Sequence, residues 1–342
     1  MTTFDAILGQ DRAVSTLRKA VLADRLPHGF IFGGPIGVGK GTTARALATV
    51  FLCERPQGDQ PCGQCESCRG MAASSHPDFH VIFKELIRYH DKTGKSKGTT
   101  LSIDVIRPEL VEKAGRKSVM GRGKVFIVEQ AELMQAPAQN AMLKTLEEPA
   151  GRTLIVLLTD QPDSLLQTIR SRCQLVRFGL LPDDVVTAQL KQRGIADADA
   201  RDAAVFARGS IGQALQWITD GVVPRARELV GMFDTLFAGR RVDDLWGWFK
   251  KSADAYAEKQ LERDALSSKD QATREGLGLY LRLASEHLRT KLTGDNDTDL
   301  ERAADAIDVI VRAENYLDSN VNTALVFQQL AVALERRPSA TA

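Results

Sequence analysis

The sequence has 342 residues, of which 43% are hydrophobic and 26% charged, and its formal net charge is +1. This length accommodates two or three domains, and a nearly neutral chain has no global field that would attract nucleic acid. No long apolar run occurs, so a membrane-spanning helix is not expected. Residues 1–14 lack the basic and apolar regions of a signal peptide, and the sequence therefore predicts a cytoplasmic protein.

Five short apolar runs in the first half predict β-strands that are buried on both faces of a parallel sheet. The runs are residues 29–32, 78–83, 124–129, 153–160 and 173–178. Helical patterns lie between them, as at 42–54 and 136–148. Residues 90–100 are basic and rich in Gly, Ser and Thr, which predicts a solvated insertion, with phosphate contact as the alternative. The alternation favours an α/β doubly wound fold over residues 1–180.

After about residue 180 the strand patterns stop. Residues 181–222 predict short helices, and residues 223–335 predict long amphipathic ones. Trp246 and Trp248 lie in the second stretch, and we expect them to pack in a core rather than to form a hot spot for a partner. The tail, 336–342, is expected to fray.

Residues 33–43, GGPIGVGKGTT, come close to the phosphate-binding pattern GxxxxGK[ST]. In such a loop, glycines let backbone N–H groups face a phosphate, and the lysine reaches the β- and γ-phosphates. Here Gly41 stands where the hydroxyl that holds Mg²⁺ is usual, and Thr42 lies about 100° further around the helix. The alternative is an accidental glycine-rich turn. The residues predicted to hold a nucleotide here are Gly34, Gly37, Gly39, Lys40 and Thr42.

Four of the five cysteines lie within residues 53–68. In a reducing compartment such a cluster predicts a metal site rather than disulfides. The C-x2-C spacing suits tetrahedral Zn²⁺, and a closed set of four thiolates is structural because it leaves no position for substrate. The predicted ligands are Cys53, Cys62, Cys65 and Cys68. Cys53 ends a helical pattern, and the alternative is that His76 or His80 replaces it.

An active ATPase with a phosphate-binding loop usually places Asp-Glu after an apolar strand. The Asp orders Mg²⁺, and the Glu polarises the attacking water. The corresponding residues here are Glu129 and Gln130. Glu129 can still bind a metal, whereas Gln130 is neutral and can orient a water but cannot act as a base. Thr159, within the run 153–160, joins Glu129 in the predicted nucleotide set. The alternative is an ordinary buried strand that ends in polar residues.

The segment Ser171-Arg172-Cys173 follows a short helical pattern and enters the last predicted strand. An arginine at a helix end and at a subunit edge can reach the γ-phosphate of a neighbouring subunit as an arginine finger. Without further evidence, an arginine in the position of Arg172 more often forms an ion pair at the surface. The choice between these interpretations depends on the rest of the chain.

Several motifs together resemble bacterial clamp-loader subunits of the AAA+ class, in the same order along the chain. They are FDAILGQ (4–10), RLPHGFIFGGPIGVGK (25–40), the cysteine module, HPDFHVI (76–82), IDVIR (103–107), NAMLKTLEEP (140–149) and SRC (171–173). Residues 313–334 also resemble the C-terminal collar helix of the delta-prime family of DNA polymerase III. The resemblance implies an AAA+ domain over 1–180 with a zinc module at 53–68, a helical lid over 181–222 and a helical collar over 223–335.

The resemblance also implies a function. In this family, five subunits joined by their collars form an open ring that uses ATP to open the sliding clamp and place it on primed DNA. The implied partners are the gamma/tau motor subunits and the delta subunit, through the collar and AAA+ faces, with the clamp and DNA met through the assembly and no membrane contact. The implied location is the replisome at the nucleoid, and Arg172 is implied to act in trans on a neighbour's ATP.

Three departures from the motor subunits point to weak or absent ATPase activity. They are Gly41, the pair Glu129-Gln130, and Gly212, which stands where motor subunits carry an arginine in GSxRDAL. ATP with Mg²⁺ is therefore expected to bind weakly or to remain unhydrolysed. The alternatives are an active motor subunit of the gamma/tau type, a nucleoside monophosphate kinase suggested by the string GKGT, and an independent DNA-binding protein. The zinc module has few basic residues and no aromatic residue, which disfavours the last.

Overall fold

The computed structural model describes residues 2–91, 99–238, 240–263, 268–292, 297–318 and 323–335. Residues 336–342 and most of the 90–100 segment, for which fraying and a solvated insertion are predicted, lie outside these ranges. The chain forms two compact units. The first is Met1–Gly194 with Ala207–Gln213, and the second is Ile195–Phe206 with Ala214–Ala342.

A parallel sheet forms the centre of the first unit, and in the described residues it has five strands in the order β2-β3-β4-β1-β5. The strands are β1 Gly29–Gly33, β2 Phe79–Ile82, β3 Lys124–Val128, β4 Thr153–Thr159 and β5 Gln174–Arg177. The three inner strands are buried along their whole length. The expectation of burial on both faces is wrong for the edge strands, since β2 is partly exposed and β5 buries only Val176. Each edge strand has a neighbour on one side only, so its cover is incomplete.

Helices lie on both faces of this sheet. The helices up to residue 192 are α1 Asp11–Leu22, α2 Lys40–Leu52, α3 Glu66–Ala72, α4 Ile87–His90, α5 Ile103–Ile106, α6 Lys113–Gly115, α7 Ala136–Glu147, α8 Gln167–Arg170 and α9 Asp183–Gln192. Short 3-10 turns occupy Phe4–Ala6, Lys84–Leu86, Ala131–Leu133 and Pro162–Ser164, and a π-helical turn occupies Arg107–Glu112. Side chains alternate along β1, so that Phe30 and Phe32 join the core with α1 and α2, and Ile31 joins the core with α5 and α7.

The remaining helices are α10 Asp197–Phe206, α11 Ile211–Thr219, α12 Val222–Phe237, α13 Leu245–Arg263, α14 Lys269–Lys291, α15 Asp297–Asp318 and α16 Thr323–Glu335. The two tryptophans predicted to pack in a core lie in α13, where both are half-buried and contact neighbouring aromatic rings. The ring of Trp246 lies 5.1 Å from that of Phe327, and Trp248 meets Tyr280 edge-on at 5.2 Å between ring centroids. Trp248 Nε1 also donates to Glu228 Oε2 at 3.1 Å, which satisfies its polar atom.

Ion pairs hold together elements of the second unit. Asp220, whose side chain is 1% exposed, pairs with Arg263 of α13. Asp234 of α12 pairs with His287 at 2.8 Å and Lys291 at 2.9 Å, both in α14. Burial by itself would raise the pKa of Asp234, but the hydrogen bonds from His287 and Lys291 outweigh it and lower the pKa.

Within the described ranges, every helix is too short or too polar to cross a bilayer. The predicted fold class is confirmed in its architecture: a doubly wound parallel α/β sheet carries a cysteine cluster, and the described elements after β5 are helices.

Candidate nucleotide and metal sites

The glycine-rich loop leaves β1 at the carboxyl edge of the sheet, where parallel α/β sheets bind ligands. Gly33 lies beside Thr159 of β4, and the N–H of Gly34 donates to the Thr159 carbonyl at 3.1 Å. Gly34, Gly37 and Gly39 have φ of +152°, +75° and +101°. A Cβ on Gly34 would lie 2.2 Å from the carbonyl oxygen of Phe178. The curvature of the loop therefore depends on glycine.

Lys40 is the first residue of α2 and is 9% exposed. Its Nζ donates to the carbonyl oxygens of Gly34 and, at 2.6 Å, Pro35. An ammonium group has three donors, so one is left for a phosphate oxygen. Burial lowers the pKa of Lys40, and the carboxylates of Asp160 and Glu132 partly offset this by raising it.

The hydroxyl groups that follow Lys40 are not arranged as in an ATPase loop. Thr42 is exposed, and Thr43 donates its hydroxyl to the Gly39 carbonyl at 2.9 Å. A Cβ on Gly41 would meet only Leu158 Cδ1, at 3.7 Å, an ordinary contact. Space for a side chain at residue 41 therefore exists, although the sequence provides none.

Glu129 directly follows β3 and is half-buried. Burial raises its pKa, Arg45 lowers it and Glu85 raises it, with a net increase. Gln130 is exposed and has a φ of +50°. Thr159 is buried, and its hydroxyl accepts the N–H of Gln161 at 3.0 Å.

Three polar residues around the loop were not among the predicted site residues. The carboxylates of Asp160 and Glu132 raise the pKa of Lys40, and each has a buried oxygen without a hydrogen-bond partner. Gln10 is buried, and its Nε2 donates to the carbonyl oxygens of Val38 at 3.2 Å and Gly179 at 2.8 Å. Gln10 ends the motif FDAILGQ, so the motif was visible in the sequence while the contact was not.

The four predicted metal ligands come together on the far side of α2. Their sulfur atoms all lie within 4.8 Å of one another, and the sulfurs of Cys53 and Cys65 are 4.0 Å apart. Four thiolates around Zn²⁺ at about 2.3 Å imply sulfur–sulfur distances of about 3.8 Å, so the donor set fits. The backbone N–H groups of Gln64 and Cys65 lower the pKa of Cys62 to about 6, whereas burial raises the pKa of Cys53 and Cys68.

His76 does not replace Cys53, because both of its ring nitrogens have other partners. Nδ1 accepts the N–H of Asp78 at 3.1 Å, so the proton lies on Nε2, which donates to Ser67 Oγ at 2.9 Å. Ser67 in turn donates to the Leu52 carbonyl at 2.8 Å. His80 lies against the ring of Phe126. The network through Ser67 joins the cysteine knuckle to the residue that precedes Cys53.

The loop and the cysteine cluster are at opposite ends of α2. This helix has 13 residues and is therefore about 20 Å long. Its C-terminal end is held by Arg152, which donates to the Phe51 carbonyl at 2.6 Å, and by Arg122, which donates to the Cys53 carbonyl at 3.2 Å. A metal here would stabilise the module without touching a nucleotide at Lys40.

Arg172 is exposed beyond α8 and forms an ion pair with Glu147 at the C-terminal end of α7. Its Nη1 donates to the Thr168 carbonyl at 2.9 Å and to Ser171 Oγ at 3.2 Å. Exposed pairs of this kind contribute about 0–1 kcal/mol. The guanidinium of Arg172 can therefore exchange Glu147 for another anion at little cost.

The sequence is similar to a protein-family model and to several known proteins. The family model described as "DNA polymerase III, delta subunit" matches residues 9–181. DNA polymerase III subunit delta' of Escherichia coli (strain K12) is 36% identical over 194 residues, 56% of this chain and 55% of that protein. Subunit delta' of Pseudomonas aeruginosa is 38% identical over 146 residues, 43% of this chain and 41% of that one. Subunit gamma/tau of Mycobacterium tuberculosis (strain H37Rv) is 31% identical over 258 residues, 71% of this chain and 43% of that one.

The matched regions thus amount to about half the length of these relatives. The family model covers more than half of the 342 residues and contains the loop, the cysteine cluster and Arg172. On that match, together with the sheet and the cysteine cluster, the chain belongs to the family described as "DNA polymerase III, delta subunit", among relatives of the delta' type.

Proposed function

We propose that this protein is a delta-prime-like subunit of the DNA polymerase III clamp loader. It is a stationary member of a five-subunit ring that opens the sliding clamp and places it on primed DNA. It does not hydrolyse ATP efficiently itself. Its Arg172 completes the ATP site of a neighbouring motor subunit.

One observation carries the proposal that the subunit is not a motor. The loop keeps the glycines and the lysine that bind phosphate, but it lacks the usual groups that order Mg²⁺. Lys40 keeps its contacts with the loop carbonyls, while residue 41 has no side chain and the Thr43 hydroxyl is committed to Gly39. The hydroxyl that usually follows the lysine and the glutamate that usually polarises water are both replaced, by Gly41 and Gln130. This composition supports weak phosphate binding without efficient hydrolysis.

The position of Arg172 supports the second half of the proposal. The side chain lies at the surface, and its intrachain partner, Glu147, is itself 46% exposed. A subunit that presents ATP beside this surface would offer the guanidinium a more highly charged partner. Arginine fingers contribute on the order of 10³–10⁵ in rate, far more than the ion pair that is given up.

The cysteine cluster is proposed to hold structural Zn²⁺ through Cys53, Cys62, Cys65 and Cys68. Its separation from the loop supports a structural rather than a catalytic role. The proposed partners are the gamma/tau motor and delta subunits, with the clamp and primed DNA met through the assembly. The proposed location is the cytoplasmic replisome at the nucleoid.

Reconstitution tests this function. The chain is mixed with motor and delta subunits of a delta'-type loader, and the mixture is analysed by size-exclusion chromatography and by clamp-dependent primer extension. We expect a stable complex whose clamp loading requires this chain. If the chain neither enters the complex nor is needed for loading, the proposed function is refuted.

An active ATPase motor of the gamma/tau type is the second candidate, because the M. tuberculosis gamma/tau relative matches 71% of this chain. The retained Lys40 and loop glycines support it. The purified chain alone decides between the two: clear Mg²⁺-dependent ATP hydrolysis that is abolished by Lys40→Ala would favour the motor. Hydrolysis near background, equal in the wild type and Lys40→Ala, favours the stationary subunit.

A further inference from the structure

The start of helix α11 contacts the tip of the glycine-rich loop. The Oγ atom of Ser210 accepts the N–H of Gln213 at 3.1 Å, and the N–H of Gly212 donates to the carbonyl oxygen of Gly37 at 3.0 Å. The first four N–H groups of a helix have no partner within it. One of them is therefore satisfied by the helix's own cap residue and another by the loop.

This contact is so close that a side chain on Gly37 would collide with it, and a side chain on Gly212 would push the two backbones apart by a few tenths of an ångström or more. A Cβ on Gly212 would lie 3.0 Å from Cα and 3.2 Å from the carbonyl oxygen of Gly37. A Cβ on Gly37 would lie 2.2 Å from Ser210 Oγ and 2.9 Å from the nitrogen of Gln213. The atoms that would be struck are mainly backbone atoms, which cannot turn away as a flexible side chain can.

The segment before α11 is also held by close backbone contacts. Gly209 has a φ of +77°, and its carbonyl accepts the N–H of Leu181 at 3.0 Å. A Cβ on Gly209 would lie 2.2 Å from the Leu181 carbonyl oxygen, so this backbone pair is also in direct contact. Ser210 is 2% exposed. The start of α11 is thus anchored on one side to the chain that follows β5 and on the other to the loop.

We propose that the start of α11 is a backbone clamp that holds the glycine-rich loop in its cradle shape. Gly212 acts through its N–H group and through its lack of a side chain. The clamp needs no nucleotide, because its partner atom belongs to the loop itself. It explains why glycine occupies residue 212, which sequence reasoning had interpreted only as the loss of an arginine.

The clamp has a consequence for the nucleotide site. A long side chain at residue 212 would separate α11 from the loop before it could reach a phosphate. Gly212→Arg therefore disrupts the loop and does not create a nucleotide-sensing arginine. Phosphate binding and clamping act on the same few loop residues, so a change in one alters the other.

Hydrogen exchange of the full chain without nucleotide tests the clamp, followed at Gly212 and in the peptide that covers residues 33–41. The second N–H of a helix is unprotected unless something outside the helix accepts it, so protection at Gly212 in the wild type is diagnostic. We expect Gly212→Ala and, more strongly, Gly212→Val to raise exchange at residue 212 and in the loop by about tenfold, as for the loss of one hydrogen bond.

Gly231→Ala is the matched control, since Gly231 lies in α12, is exposed and has no atom within 4 Å of a built Cβ. It should leave exchange in the loop unchanged. The proposal is overturned if the Gly212 amide of the wild type exchanges at the rate of a free amide, a measurement that needs no variant. It is also overturned if a folded Gly212→Val protein exchanges in the loop as the control does.

Discussion

Ser67→Ala tests the buried network that joins the cysteine knuckle to α2. The side chain of Ser67 is 0% exposed, and its hydroxyl accepts from His76 Nε2 and donates to the Leu52 carbonyl. The alanine variant leaves a donor and an acceptor buried without partners. Each such loss costs about 1–3 kcal/mol, so we expect the free energy of unfolding of the first unit to fall by about 2–6 kcal/mol.

The assay must report on the first unit. All three tryptophans, at residues 217, 246 and 248, lie in the second unit, so tryptophan fluorescence is unsuitable here. Pulse proteolysis in urea, with fragments assigned by mass spectrometry, follows the first unit directly. A chelator competition on the zinc-loaded protein gives the metal affinity, which we expect to fall 10- to 100-fold, roughly as for other residues that support metal ligands.

Ser75→Ala is the matched control, because Ser75 is exposed and lies just after α3, next to His76. It should change the stability by less than about 0.5 kcal/mol. A Ser67→Ala protein that matches this control in both stability and zinc affinity would refute the network. If the wild type binds no zinc, the metal proposal is wrong, whereas the stability difference still tests the hydrogen bonds.

Three further predictions concern single side chains. Gly41→Ser places a hydroxyl where a Cβ has room, and should tighten Mg²⁺-dependent ADP binding by about tenfold. Titration of a fluorescent ADP with and without Mg²⁺ checks this. An unchanged Mg²⁺ dependence of binding would contradict the prediction. Arg263→Ala leaves the buried carboxylate of Asp220 unpaired, and should lower the free energy of unfolding of the second unit by about 2–3 kcal/mol. Urea unfolding followed by tryptophan fluorescence measures the loss, and an effect no larger than that of Lys259→Ala, which breaks an exposed pair, would count against it. Asp234 has a lowered pKa, so its ion pairs stabilise the fold above the ordinary aspartate range near pH 4 and lose this effect as the pH falls. The stability difference between the wild type and Asp234→Asn should therefore shrink on acidification, and a constant difference would be inconsistent with this pairing.

The fold was largely predictable because its signals are local. The five apolar runs became five strands, and α2 begins at Lys40, where the loop pattern placed a helix start. Among the strand predictions, burial on both faces was wrong for the edge strands. The apolar pattern of a segment predicts that it forms a strand. It does not predict which strands lie at the edges of the sheet, because strand order depends on pairing between segments far apart in the chain.

The candidate site was predictable in its residue types and less so in its contacts. The spacing of the cysteines predicted Cys53 in the cluster but left His76 or His80 as alternatives, and the fold was needed to bring the four sulfurs together and to give His76 another partner. The acidic residues near Lys40 and the contact between Gly212 and Gly37 were missed, since each joins segments far apart in the chain. Arg172 was proposed as a finger from a three-residue motif, and its pairing with Glu147 needed the fold.

The ATPase rate of a loader reconstituted with motor and delta subunits, in the presence of clamp and primed DNA, tests the role of Arg172 most directly. Arg172→Ala is compared with Arg170→Ala, which removes a neighbouring exposed arginine paired with Asp163. We predict that both variants assemble, and that Arg172→Ala slows hydrolysis at the adjacent site on the order of 10³-fold while Arg170→Ala does not. Equal ATPase and clamp-loading rates in the wild type and Arg172→Ala would contradict the central claim.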